Sequence, residues 1–372
     1  MASRVAIRVD ASLHIGAGHV MRCLTLAVAL RSENFDCFFI CRDFPGNLIA
    51  LIQQAGFLVK VLPSGADSSD ICGSNLQLHS FFEAAWLDDS KGTLKAVDEG
   101  VDWLIVDHYY LDDRWEKNVS SICKDIMVID DLANRHHYCT LLLDQNLGRI
   151  PRDYLNLIPA KAKLLIGPSY ALIRPIFGEV RSKSLSLRRR KPKISKLMIS
   201  MGGVDLDNYT LRILQQIKPG WLPSDCVINV VMGPKAPWIE NVIAFAKTMP
   251  WKVDVLINVS DMAKLMAESD LAIGAAGSTS WERCCVGLPS FICVLAENQQ
   301  EVAGELVALG AAKEIVFESN AVSNLDALLG WARDENNLIE MSKKAKKICD
   351  GEGLFRVIKN FIHMNDWRAH HG

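Results

Sequence analysis

Asp10-Ala11-Ser12-Leu13-His14-Ile15-Gly16-Ala17-Gly18-His19-Val20-Met21-Arg22 joins two runs of different period. Before it, Val5, Ile7 and Val9 alternate along Arg4–Asp10 and predict a strand; after it, Val20–Arg31 has the period of a helix. A strand that turns through glycine into a helix is the opening unit of a parallel α/β sheet. Glycines at such a turn let the backbone approach an anion, and the unpaired N–H groups of the helix start favour negative charge. Gly16, Gly18 and Arg22 are therefore candidates for substrate contact. His19 brings an imidazole to the same place, a side chain able to take a proton from water near neutral pH. The plain alternative is that His19 caps the helix; His14, earlier in the loop, is the lesser candidate.

The alternation continues outward. Strands are predicted at Phe35–Cys41, Phe57–Leu62, Trp103–Asp107, Ile126–Asp130, Leu141–Asp144 and Leu164–Ile166, with helices at Leu48–Ala55 and Asp112–Cys123 and, between the third and fourth strands, a polar stretch at Ser64–Ser74 followed by a helical insertion. A basic segment, Glu179–Lys193, containing Arg188-Arg189-Arg190-Lys191-Pro192 interrupts the pattern; it reads as a solvated linker more readily than as a phosphate or nucleic-acid patch. The pattern then restarts with strands at Lys196–Ser200, Cys226–Val231, Lys252–Ile257, Leu271–Gly274 and Ser290–Val294. Helices lie between them and fill most of Ala321–Ile362. The expectation is two doubly wound, Rossmann-like domains: 1–180, then a linker at 181–195, then 196–350, with a C-terminal helix or tail at 351–372. Ligands of such sheets bind outside the carboxyl ends of the strands, here in a cleft between the domains.

Composition excludes several classes. The 372 residues are 49% hydrophobic and 23% charged, as in ordinary globular chains. A net charge of −2 offers no general attraction for nucleic acid or an anionic membrane. No signal peptide or membrane-spanning run is read, and 11 scattered cysteines without a CxxC pair fit a reduced, cytoplasmic protein. His136-His137-Tyr138-Cys139 matches no zinc spacing. Asp205-Leu206-Asp207 precedes a helix, where acids suit the dipole, so neither a metal nor a cofactor is expected.

Three further turns carry polar groups. Gly277-Ser278-Thr279 opens a helix with Glu282 one turn on; its N–H and hydroxyl donors suit a diphosphate, and Glu282 suits the two hydroxyls of a ribose. A Ser/Thr cap with Glu as its capping-box partner fits equally. Gly202 and Gly203 form a matching turn after the strand Lys196–Ser200. Asp107-His108-Tyr109 ends a strand on the same rim as His19: Tyr109 can reach a sugar or phosphate, and Asp107 can orient a histidine, or both can serve ordinary loop packing. Asp130-Asp131 is a weaker candidate on that rim, and Arg174 and Asn298 stand near the expected cleft.

Taken together, Asp10–Arg22, Asp107-His108-Tyr109, Gly167–Arg174, Ser200–Gly203, Gly277–Glu282 and Glu297-Asn298-Gln299 resemble the UDP-sugar hydrolases of pseudaminic acid biosynthesis. The similarity runs over about the first 300 residues. It implies the two-domain GT-B fold and metal-independent hydrolysis of UDP-2,4-diacetamido-2,4,6-trideoxy-β-L-altrose by water attack at C1, with C–O cleavage and inversion. By the same resemblance His19 is the base, Tyr109 and Asn298 handle the substrate, and the Gly/Ser turn with Glu282 holds the nucleotide. A glycosyltransferase of the same fold, or a non-catalytic nucleotide-sugar binding protein, remains open at this point.

Overall fold

Parallel pairing runs through both main sheets of the computed structural model, which describes residues 2–63, 75–190, 193–318 and 321–371. The chain forms two compact units, Met1–Leu172 with Leu354–Gly372, and Ile173–Gly353.

The first unit holds β1 (Arg4–Val9), β2 (Asp36–Arg42), β3 (Leu58–Leu62), β4 (Val101–Asp107), β5 (Cys123–Ile129), β6 (Leu141–Asp144) and β7 (Lys163–Ile166). Their order is β3-β2-β1-β4-β5-β6-β7. The chain thus leaves β1 toward one edge, returns, and builds toward the other, which opens a crevice at the carboxyl ends of β1 and β4. Alternation sorts β1 as expected: Val5, Ile7 and Val9 enter one apolar layer and Ala6 the opposite one. Arg8 shares the face of Ala6 and is completely buried, a feature that local pattern does not announce. It survives there because Nη1 meets Asp10 at 2.7 Å and Nη2 meets Asp89 at 2.7 Å. Arg42 and the Trp115 indole complete the coordination of Asp89. Asp89 comes from the helix Asn75–Ala96, which is the described part of the insertion; residues 64–74 lie outside the described residues.

The second unit holds β8 (Lys196–Ser200), β9 (Val227–Met232), β10 (Lys252–Ile257), β11 (Leu271–Ala275), β12 (Ser290–Cys293) and β13 (Lys313–Ile315), in the order β10-β9-β8-β11-β12-β13. Its switch point lies between β8 and β11. A small hairpin, β14 (Phe317–Glu318) and β15 (Ala321–Val322), occupies the start of the segment expected to be helical.

Two boundaries differ from expectation. Most of the expected linker, through Arg190, belongs to the helix Ile176–Arg190 of the second unit; residues 191–192 lie outside the described residues. Arg188 is half-buried and its guanidinium is engaged by backbone carbonyls. It donates to the carbonyls of Val286 (2.9 Å), Ser269 (2.6 Å) and Met266 (2.8 Å), and Arg181 donates to those of Lys346 (2.7 Å), Cys349 (3.0 Å) and Cys285. These acceptors lie at or just beyond the C-terminal ends of the helices Met262–Glu268, Thr279–Cys285 and Glu335–Ala345, where last-turn carbonyls lack partners and the dipole favours cations. Burial pushes the Arg188 guanidinium down to about 9, Asp270 opposing. The second difference is the C-terminal helix Gly353–His371, which packs into the first unit. Leu354, Val357, Ile358 and Phe361 join the β1 layer, with the Phe361 ring 4.2 Å from that of Trp103. Among the described residues no helix is long and apolar enough to cross a membrane.

Candidate active site

The crevice of the first unit gathers the residues that follow β1 and β4. Gly16 takes φ +79°, where a side chain would be strained, and its N–H closes a tight turn onto the Ser12 carbonyl at 2.9 Å. The chain then enters the helix Gly18–Ser32 with Ala17 at the N-cap and no side-chain cap, so His19 is not the capping residue. His19 and Arg22, one turn apart, share a face of that helix and converge on Asp107.

Asp107 is fully buried. His19 Nδ1 lies 2.5 Å from its Oδ1, and Arg22 donates from Nε to Oδ2 (2.6 Å) and from Nη2 to Oδ1 (2.7 Å). Burial alone would raise the Asp107 carboxyl, but Arg22 and His19 overcome it and hold the group well below the usual carboxylate range. An ionised carboxylate only accepts, so Nδ1 carries the proton of the neutral ring and Nε2 keeps its lone pair. No hydrogen bond joins that Nε2 to another described residue. Arg22 also donates from Nη1 to Asp131 at 2.9 Å, and the Tyr109 hydroxyl donates to the same carboxylate at 3.2 Å. The Tyr109 ring meets the His19 ring edge-on, centroids 4.3 Å apart.

A narrow recess is lined by Asp10, Ile15, His19, Asp107, His108, Tyr109 and Tyr110. Its second imidazole is differently employed. The Tyr110 N–H donates to His108 Nδ1 at 3.2 Å, which leaves the proton on Nε2 to meet Asp10 at 3.2 Å. Burial pushes the His108 imidazole down, against Asp10, so this neutral ring braces the Asp107–Tyr110 turn. Of the residues expected here, His19, Asp107 and Tyr109 line one recess. Gly16 and Gly18 shape the loop beside it. Arg22 is spent on Asp107 and Asp131 and is 6% exposed, so it orders the site instead of offering donors to a ligand.

The second unit assembles the remaining candidates by itself. Ser278 is exposed at the N-cap of Thr279–Cys285 and makes no side-chain cap; the Thr279 hydroxyl accepts from Arg283 at 3.1 Å. No capping box forms there. Glu282 instead lies 3.9 Å from Arg174, which is placed in this unit and not in the first. Burial pushes the Glu282 carboxyl up to about 7, with Arg174 and Arg283 opposing. The Gln299 amide approaches Gly277, which brings the turn carrying exposed Asn298 beside the Gly277 turn. Gly202 takes φ +91°, and the Gly203 carbonyl packs so closely on Gly233 that a Cβ there would clash at 1.9 Å. Asp205 accepts from the N–H groups of Tyr209 (2.8 Å) and Thr210 (2.9 Å) and so caps a helix.

Local pattern did not single out Arg8, Asp89 or Tyr154, and gave Asp131 little weight; only the place of Asp131 just past a strand end hinted at a site. Residues 221–353 match the glycosyltransferase family 28 C-terminal domain. The UDP-2,4-diacetamido-2,4,6-trideoxy-beta-L-altropyranose hydrolase of Campylobacter jejuni is 28% identical over 308 residues, 82% of this chain and 97% of that protein. The spore coat polysaccharide biosynthesis protein SpsG of Bacillus subtilis is 22% identical over 361 residues, 95% of this chain and 96% of that one. The uncharacterized protein MJ1062 of Methanocaldococcus jannaschii is 26% identical over 80% of this chain, which spans 57% of that longer relative. Among solved structures, MurG of Acinetobacter baumannii superposes with a TM-score of 0.64 at 17% identity, covering 96% of this chain and 98% of that one. TcCGT1 in complex with UDP gives 0.63 at 13%, covering 98% and 100%. The chain has the GT-B fold.

Proposed function

We propose that this protein hydrolyses a UDP-sugar, UDP-2,4-diacetamido-2,4,6-trideoxy-β-L-altrose, to UDP and the free sugar in the cytoplasm. The observation that carries the reading is the short His19–Asp107 contact at the switch point of the first sheet, with Nε2 unengaged beside the recess. Water attacks C1, its proton passes to His19 Nε2, the C1–O bond breaks, and its electron pair leaves with UDP. Inversion at C1 follows from a single displacement. A diphosphate is already a good leaving group, so the carboxylic acid that protonates the departing oxygen in ordinary glycosidases is dispensable. Base catalysis of this kind contributes ~10²–10⁴-fold. Asp107 holds the tautomer and stabilises the imidazolium as it forms, Arg22 keeps Asp107 ionised, and Tyr109 faces the sugar.

The nucleotide is assigned to the second unit, with Gly202, Gly203, Gly277, Ser278 and Thr279 toward the diphosphate and Glu282 toward the ribose; Arg174 and Asn298 are assigned to substrate contacts there. The recess is too tight to hold a water molecule as it stands, so the Gly16 loop or the Tyr109 ring moves when substrate enters. The sequence relative named as a hydrolase supports the choice of reaction. The family 28 match favours the second reading, transfer to an acceptor. One experiment decides: purified protein is incubated with UDP-sugars, without acceptor or added metal, and UDP is followed. Release from this sugar nucleotide, lowered ~10²–10⁴-fold in His19→Ala, supports hydrolysis. Turnover only with an acceptor supports transfer, and binding without turnover in either condition refutes both.

A further inference from the structure

Behind Asp131 the ends of β5 and β6 hold a chain of groups that the reaction above does not use. The Tyr154 hydroxyl lies 2.9 Å from Asp130 Oδ2 and 2.8 Å from Asp144 Oδ2, and all three residues are buried. A phenol has one proton to donate. Were both carboxyls ionised, one of these two oxygen pairs would meet at hydrogen-bond distance with no proton between them. A second proton is therefore required, and the surroundings say which carboxyl bears it. Asp130 meets Arg135 at 2.8 Å and accepts from the Ala133 N–H at 2.8 Å, with His137 Nε2 3.9 Å away and the Nδ1 of the same ring tied to Glu116 at 2.7 Å. Asp144 has the Asn146 N–H (2.8 Å) and Arg149 Nε (2.9 Å), but Asp131 bears on it with like charge.

We propose that Asp144 stands as the un-ionised acid, donating to Tyr154, which donates to ionised Asp130, and that this chain positions Asp131 and through it Arg22 and Tyr109. Burial and Asp131 push the Asp144 carboxyl up to about 7, against Asn146, Tyr154 and Arg149, whereas Asp130 is held down to about 2 because Arg135 and His137 overcome its burial. The mechanical link is short. The loop that leaves Asp144 clasps the Asp131 carbonyl from Asn146 Nδ2 (3.0 Å) and Arg149 Nη2 (3.2 Å), and the Asp131 carboxylate holds Arg22 and Tyr109. When Asp144 loses its proton, a new anion faces Asp130 and Asp131 and draws on Arg149, so the clasp loosens as pH rises.

The consequence for turnover rests on the reading of His19 as base; the proton count does not. The test is carbon NMR of the aspartate carboxyls in the wild-type protein, with Asp144→Asn used for assignment. The expected result is an Asp144 signal of acid character at pH 5.5 that changes near pH 7, with the Arg22 Nε–H resonance shifting at the same midpoint. In Asp144→Asn, an isosteric mimic of the acid, the Arg22 shift disappears and the fall in Tm between pH 5.5 and 8 lessens. An Asp144 carboxylate signal at pH 5.5 overturns the proton count. An Arg22 resonance indifferent to pH around 7 overturns the positioning link. The ratio of UDP release at pH 8.5 to that at pH 6 is expected to rise about threefold or more in Asp144→Asn; an unchanged ratio overturns the link to turnover. If the wild type releases no UDP at all, the hydrolytic reading fails while the two NMR results still decide the chain.

Discussion

Asp107→Asn tests the proposed base without changing its size. The wild-type carboxylate accepts four donors, His19 Nδ1, two nitrogens of Arg22 and, more weakly, the Cys23 thiol. An amide has one oxygen and one NH₂. If the NH₂ turns toward His19, it donates to Nδ1 and drives the ring proton to Nε2, leaving no lone pair for water. If it turns toward Arg22, N–H faces N–H beside a buried guanidinium that still has Asp131. Either orientation removes what the base needs. The expected loss in kcat is ~10²–10⁴-fold, the worth of a positioned base in the right tautomer. Breaking a buried ion pair outright costs ~3–5 kcal/mol; with Asp131 retained, about 2 kcal/mol of stability is expected. Affinity for UDP should stay within roughly twofold of the wild type, since its assigned contacts lie in the other unit. Kinetics of UDP release, calorimetry with UDP and urea unfolding are measured for Asp107→Asn, His19→Ala and the double variant. Residues that act as one unit are non-additive, so the double variant should be no slower than His19→Ala. A kcat within fivefold of the wild type, or a multiplicative double variant, would refute the pairing.

The structure makes three further predictions. Arg188→Ala strips three carbonyls of their donor and should cost at least ~3 kcal/mol in urea unfolding, whereas exposed Arg189→Ala should stay within ~0.5 kcal/mol; equal effects would contradict this role of Arg188. Phe361→Ala should cost ~3–5 kcal/mol and lower the transition of the first unit, monitored by the fluorescence of Trp103; a loss confined to the second unit would count against the docking of the C-terminal helix. Glu282 has its carboxyl raised to about 7, so the folded state holds a proton that the unfolded chain releases at its ordinary value, and stability falls as pH rises between the two. Glu282→Gln should therefore gain on the wild type by up to ~3 kcal/mol between pH 4 and pH 8, while weakening UDP binding; parallel stability curves would show that Glu282 is not so perturbed.

What could be read in the sequence was whatever depends on near neighbours. The alternation of Val5, Ile7 and Val9, the glycine turn at Gly16–Gly18 and the strand end at Asp107 lie within a few residues of the structure they specify. The doubly wound order of both sheets followed from them. The ionic groups resisted because their partners are remote: Arg8 meets Asp89 from 81 residues away and Arg22 meets Asp131 from 109. Local charge then misleads in a consistent direction. Arg188 in its basic run looks solvated, yet neutralises the carbonyl ends of helices that begin more than 70 residues later. Arg22 beside a glycine turn looks like an anion ligand, yet its charge is divided between two aspartates. The C-terminal helix had a readable apolar face at 354, 357, 358 and 361, but period alone does not say which core that face will enter. The same long-range division of charge makes the site chemically usable. Arg22 alone near His19 would oppose the imidazolium. Set against Asp107 and Asp131 together, it leaves a cluster with net charge −1, which becomes neutral when the ring takes up its proton. The proposed base can work beside an arginine because the second aspartate is there, a residue to which local pattern gave little weight.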